Sequence, residues 1–207
     1  MALSEKWNQV PKPVRHFLLK AAALFVIWKA VYLLVLLPNR VLDKPLTYVI
    51  GKGTAATLNV IHRSGDYNAI ATIHTKGYAN SGEVEPVMAI RWRQDTLLSI
   101  ADVCNGLELL VLYAGLIVCL PAGLRRKLLF IFGGIVLIEI LNVLRCTGLV
   151  LVYLNRPEYL DFSHHYLFTF VVYAFIFWLW WLFSRDPGFA KKLQLNATTP
   201  TPTTPTL

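Results

Sequence analysis

Three side-chain types stand out in this sequence because an apolar chain has no ordinary use for them in these places. They are Cys104 in Cys104-Asn-Gly-Leu-Glu108, Arg145 in Asn142-Val-Leu-Arg-Cys146, and the pair His164-His165. A thiol becomes a nucleophile when its pKa falls or a base removes its proton. Histidine can take that proton and later return it to a leaving amine. Arginine stays charged and offers several donors to a thiolate or an oxyanion. Together these groups point to acyl transfer through a cysteine. Glu139, Asn142 and Arg145/Cys146 also recur at helical spacing, so one face of their helix is a polar stripe.

That stripe lies inside an apolar run at 128–154, which reads as a membrane span. An unpaired charge in hydrocarbon costs several kcal/mol, so such a group faces a partner or a wet cavity. Of the 207 residues 56% are hydrophobic, above the usual soluble share and clustered into runs, which places the chain in a membrane. The net charge of +8 comes from Lys and Arg flanking those runs; it forms no continuous basic face, so nucleic acid is not an expected partner. The three cysteines, Cys104, Cys119 and Cys146, show no CxxC spacing and make an odd count. No metal site or cofactor is expected. Cys119 and Cys146 read as packing residues.

The reading along the chain is an all-α polytopic membrane protein with about four transmembrane helices, an outer amphipathic helix and a small β-hairpin. Residues 1–16 form a polar, basic cytoplasmic segment. The membrane domain is 17–185, with spans at 17–37, 97–120, 128–154 and 166–183 and an outer segment at 38–96. Residues 186–207 are a Thr/Pro-rich tail without apolar content to fold on. The first run is too long for a signal-peptide core, so it reads as an uncleaved span. Its Lys29 needs a partner, for which Glu108 and Glu139 are the candidates. In the outer segment, apolar steps of three and four from Leu46 to Ile61 predict an amphipathic helix on the bilayer surface. Alternation near Tyr67–His74 and Val84–Arg93, with a turn-rich stretch at 76–82, predicts the hairpin.

Lys and Arg beside the spans put both termini and the 121–127 loop in the cytoplasm. Arg145 then lies about 17 residues into its span, roughly 26 Å from the cytoplasmic side. In a core about 30 Å thick that is the outer edge. Cys104 opens the second span and the histidines open the fourth, also at the outer edge. Thiol, guanidinium and imidazole therefore reach one level from three helices.

The order of Cys in CNGLE, Arg in NVLRC and His in SHHYLF, on successive spans after a long outer segment, resembles the exosortase/archaeosortase family across residues 17–185. The resemblance implies a cysteine protease/transpeptidase of the plasma (inner) membrane. Its substrates are proteins with a C-terminal sorting signal made of a short motif, a hydrophobic helix and a basic tail, cut at the outer face. It implies Cys104 as nucleophile, Arg145 as stabilising cation and His165 as base, because the family histidine directly precedes the apolar run. Thr169 stands where members often carry a glycine. With four spans the chain resembles a compact variant. His164, Asn142, Asn105 and Glu108 are expected to support the site, and membrane lipid is the other partner.

Two other functions fit some of these residues. A non-enzymatic scaffold or assembly factor would use Glu139, Asn142 and Lys29 to hold helices together, leaving the shared depth of Cys, Arg and His unexplained. A thiol-dependent acyl or glycolipid transferase would use the same thiol.

Overall fold

The computed structural model describes residues 12–75, 84–120 and 122–185. The expected tail at 186–207, most of the N-terminal segment and the hairpin turn at 76–82 lie outside the described residues. Helix α1 spans Lys12–Val31 and continues through a π-helical turn, Tyr32–Leu36, to Leu37–Asn39. Pro38 lacks an N–H, and Arg40 closes the helix in the left-handed conformation at φ 48°. Helix α2 follows at Asp43–His62. Strands β1 (Tyr67–Thr75), β2 (Val84–Trp92) and β3 (Asp95–Ala101) form an antiparallel sheet in the order β1-β2-β3. A 3-10 turn at Asp102–Cys104 leads to α3 (Leu107–Cys119) and α4 (Leu124–Asn155). Short turns from Pro157 to Leu167 lead to α5 (Phe168–Ser184).

Among the described residues, three helical stretches are long and apolar enough to cross a membrane: Phe17–Asn39, Leu124–Asn155 and Pro157–Ser184. The span expected at 97–120 is corrected. Residues 95–101 are a strand, and the helix that follows has 13 residues, about 20 Å against a hydrocarbon core of about 30 Å. The apolar residues of β3 run on into those of α3, so composition alone joins them. The break is Gly106, at φ 77°, a conformation that side-chain-bearing residues seldom adopt.

The expected amphipathic helix is α2; Ile50, Ala55 and Leu58 are buried in the protein, while Val49 and Ile61 of the same apolar stripe are exposed. Ile50, Ala55 and Leu58 join Tyr67, Ala69, Met88, Ile90, Ile100, Cys146 and Val150 in one core. Small residues let these layers close up: Gly51 lies directly against Met88. Asn59 pins the start of β1 to α2 through two bonds with the backbone of Tyr67, at 2.9 and 3.0 Å. The hairpin appears as β1 and β2, paired from Tyr67↔Trp92 to Thr75↔Val84. A third strand, β3, pairs with β2. A second core lies among the other helices, where Leu110, Tyr113 and Ile117 of α3 meet Ile138 of α4 and Val172, Ile176, Leu179 and Phe183 of α5.

Candidate active site

Cys104 ends the turn between β3 and α3, at the seam between the two cores. It is half-buried and packs against the sheet-side core. Two polar clusters set its position. Asp102 takes a two-pronged bond from Arg40, Nε to Oδ2 at 2.6 Å and Nη2 to Oδ1 at 2.8 Å. Thr47 Oγ1 also donates to Asp102 Oδ1 at 2.8 Å. Such bidentate pairs fix orientation as well as distance. On the other side of the thiol, buried Asn105 donates to Asp43 Oδ1 at 2.9 Å and accepts from the Leu107 N–H at 2.9 Å. The second of these bonds satisfies an otherwise free amide at the start of α3. Tyr32 Oη donates to the same Asp43 carboxylate at 3.3 Å.

Asn142 of α4 is 1% exposed and donates to the Asn105 carbonyl at 3.4 Å. Its amide lies so close to Gly106 that a Cβ there would collide with it. Gly106 is therefore required twice, by its positive φ and by this approach. The expected supporting residues Asn105 and Asn142 thus meet at the turn that carries Cys104.

Arg145 and Cys146 follow on α4. Cys146 is buried in the sheet-side core, whereas Arg145 is half-buried and reaches His164. Its Nη2 lies 3.4 Å from His164 Nε2. A guanidinium can only donate, so a hydrogen bond in this contact requires the tautomer with Nε2 as acceptor and the ring proton on Nδ1. Arg145 Nε is buried without a hydrogen-bond partner among the described residues. A buried charged donor left in that state has spare capacity for an acceptor. Burial pushes the Cys104 thiol above its ordinary value, while the nearby Arg145 charge pulls it down and Glu85 adds a smaller push upward. A thiol pushed upward in this way needs a base to become a nucleophile.

The two histidines face different ways. They belong to a π-helical turn, Ser163–Leu167, and as successive helical residues they project to different faces. His164 is half-buried against Arg145. His165 is exposed, with Nδ1 at 3.0 Å from Asp161 Oδ1 and 3.1 Å from the Asp161 carbonyl oxygen. The structure thus brings His164, not His165, to Arg145. Thr169 Oγ1 donates to the His164 carbonyl at 3.2 Å. Glu108 is not at this cluster: it pairs with Lys29 at 2.7 Å, one of the two partners expected for that lysine. Glu139 does not pair with Arg145, and both its carboxylate oxygens lack hydrogen-bond partners among the described residues.

Sequence reasoning missed Arg40, Asp43, Thr47 and Asp102 as a group. Arg40 lies 62 positions from Asp102, and no local pattern announces such a pair.

A sequence model of the family described as Transmembrane exosortase (Exosortase_EpsH) matches residues 14–182. The chain belongs to the transmembrane exosortase family. The match covers all three membrane-length helices almost completely, together with the sheet and the Cys104 turn, and an exosortase-like membrane protein is what it supports. No curated protein and no solved structure matches the chain.

Proposed function

We propose that this exosortase is a membrane-embedded cysteine protease/transpeptidase that cleaves and sorts proteins carrying a C-terminal hydrophobic signal. What supports this reading is that Arg145, whose Nε is buried without a hydrogen-bond partner among the described residues, lies 3.4 Å from His164 and close enough to the half-buried Cys104 for its charge to act on the thiol. Family membership supports the same chemistry.

In this proposal the substrate carbonyl oxygen takes a donor from Arg145, which stabilises the developing oxyanion. As the guanidinium turns to that oxygen, His164 Nε2 is released and accepts the Cys104 proton. Sγ attacks the carbonyl carbon, the C–N bond breaks, and the proton passes from His164 to the leaving amine. The resulting thioester is resolved by water, giving an acid, or by an acceptor amine, giving a new amide. His164 is given the role of base here because it is the histidine beside Arg145; His165, the residue implied by the family pattern, braces the turn through Asp161. The protein on this reading sits in the plasma (inner) membrane with both termini cytoplasmic and the site at the outer face. Its partners are the signal-bearing substrates and surrounding lipid.

The test is quantitative mass spectrometry of membrane proteins from cells carrying either wild type or Cys104→Ala, at matched abundance of the two chains. The expected result is accumulation of uncut C-terminal hydrophobic segments with Cys104→Ala. Identical C-terminal profiles would contradict the enzyme and favour a scaffold.

A further inference from the structure

The strand that leads into Cys104 is an edge. β3 pairs with β2 from Trp92↔Asp95 to Val87↔Ala101, and no described strand lies on its other side. An edge strand leaves alternate N–H and C=O groups unpaired and ready to receive another extended chain. Helix α4 packs on the face of the sheet, where Ile100 joins Cys146 and Val150. The opposite edge, β1, lies across β2 from β3, with Thr72 level with Ala101 through their shared partner Val87, and it does not itself run into the thiol. From Ala101 the chain reaches Cys104 within three residues, through the turn that Arg40 and Thr47 hold by Asp102.

We infer that the free edge of β3 binds the substrate: an extended peptide segment just before the cleaved bond adds to the sheet as a fourth strand, parallel to β3. The inference rests on the reading of Cys104 as the acylated thiol. Its direction follows from the chemistry. The acyl part of a cleaved peptide is the part N-terminal to the bond, so its C-terminal end must lie at the thiol. β3 also ends at the thiol, so the two run the same way. Main-chain bonds to a sheet edge give affinity that tolerates many sequences, while alternate side chains supply selectivity. A strand pairing also holds the peptide straight, which fixes the carbonyl relative to Sγ.

The test uses the full chain in lipid nanodiscs and locates adducts on Cys104 by mass spectrometry. The probes are mixed-sequence hexapeptides ending in a vinyl sulfone. Two matched pools carry backbone N-methyl groups on alternate residues, in opposite registers, and N-ethylmaleimide serves as the small reference electrophile. The expected result is that the unmethylated pool labels Cys104. One methylated register should then lose roughly tenfold, the effect of about one or two lost main-chain bonds, while the other keeps its rate. Equal rates for all three pools, or labelling by N-ethylmaleimide alone, would overturn the edge proposal and leave the thiol reading standing. No labelling of Cys104 by any probe would overturn both. Disulfide linkage between two Ser99→Cys chains across their β3 edges would give the edge to a second copy, and would also overturn it.

Discussion

On one side of Cys104, α2 and the sheet share an apolar core that directed polar bonds cross and frame: Arg40 and Thr47 on Asp102, Asp43 on Asn105, Asn59 on the backbone of Tyr67. On the other side, α3, α4 and α5 meet chiefly through Leu110, Ile117, Ile138, Val172, Ile176 and Leu179, with polar additions from Tyr113 Oη to the Phe130 carbonyl at 2.8 Å, Arg126 to the Phe183 carbonyl at 2.6 Å and Lys127 to the Val118 carbonyl at 2.7 Å. Apolar packing is broad and accommodates small shifts, whereas a bidentate ion pair or a buried amide bond specifies a distance. The thiol sits where these two constructions join. Its neighbours Asp102 and Asn105 belong to the directed side, while Arg145 and His164 arrive on membrane-length helices. Disturbing the directed side should move the thiol, and disturbing the apolar side should not.

The largest expected effect is at the thiol itself. Cys104→Ala should reduce substrate processing by at least about 10³-fold, as loss of a nucleophile does, with no change in helical content by circular dichroism. Next comes the turn. Gly106→Ala places a side chain at positive φ and against Asn142, and should cost about 1–3 kcal/mol of stability in detergent unfolding while slowing Cys104 alkylation. Asp102→Asn weakens the bond to Arg40 and should cost about 1.5–3 kcal/mol, again with slower alkylation. An apolar change such as Ile138→Val should cost about 0.5–1.5 kcal/mol and leave the alkylation rate unchanged. If Ile138→Val slowed Cys104 as much as Asp102→Asn does, the division between the two sides would fail.

The long apolar helices were legible because composition and length suffice to find them, and Cys104, Arg145 and the histidines stood out by chemical type. The hairpin strands were visible in their alternation. β3 was hidden, because its apolar residues merge with those of α3 and the Arg93-Gln94 turn carries no glycine, proline or asparagine. The Asn105-Gly106 dipeptide marked the true boundary. The direction of each histidine was beyond reach, since a π-helical turn shifts side-chain angles without a sequence signature. Arg40 with Asp102 was beyond reach for another reason: a pair so distant in sequence is defined only by the folded chain.

The central claim is that Arg145 acts on a half-buried but reachable Cys104 thiol. The most direct measurement is the rate of Cys104 modification by a membrane-impermeant iodoacetamide derivative across about pH 6 to 10, in wild type and Arg145→Ala. Burial raises the thiol pKa and Arg145 opposes that rise, so removing Arg145 raises it further. The predicted wild-type rate climbs roughly tenfold per pH unit past the ordinary thiol range, and the Arg145→Ala curve is displaced to higher pH. An unmodified Cys104, or two superimposed curves, would contradict the account.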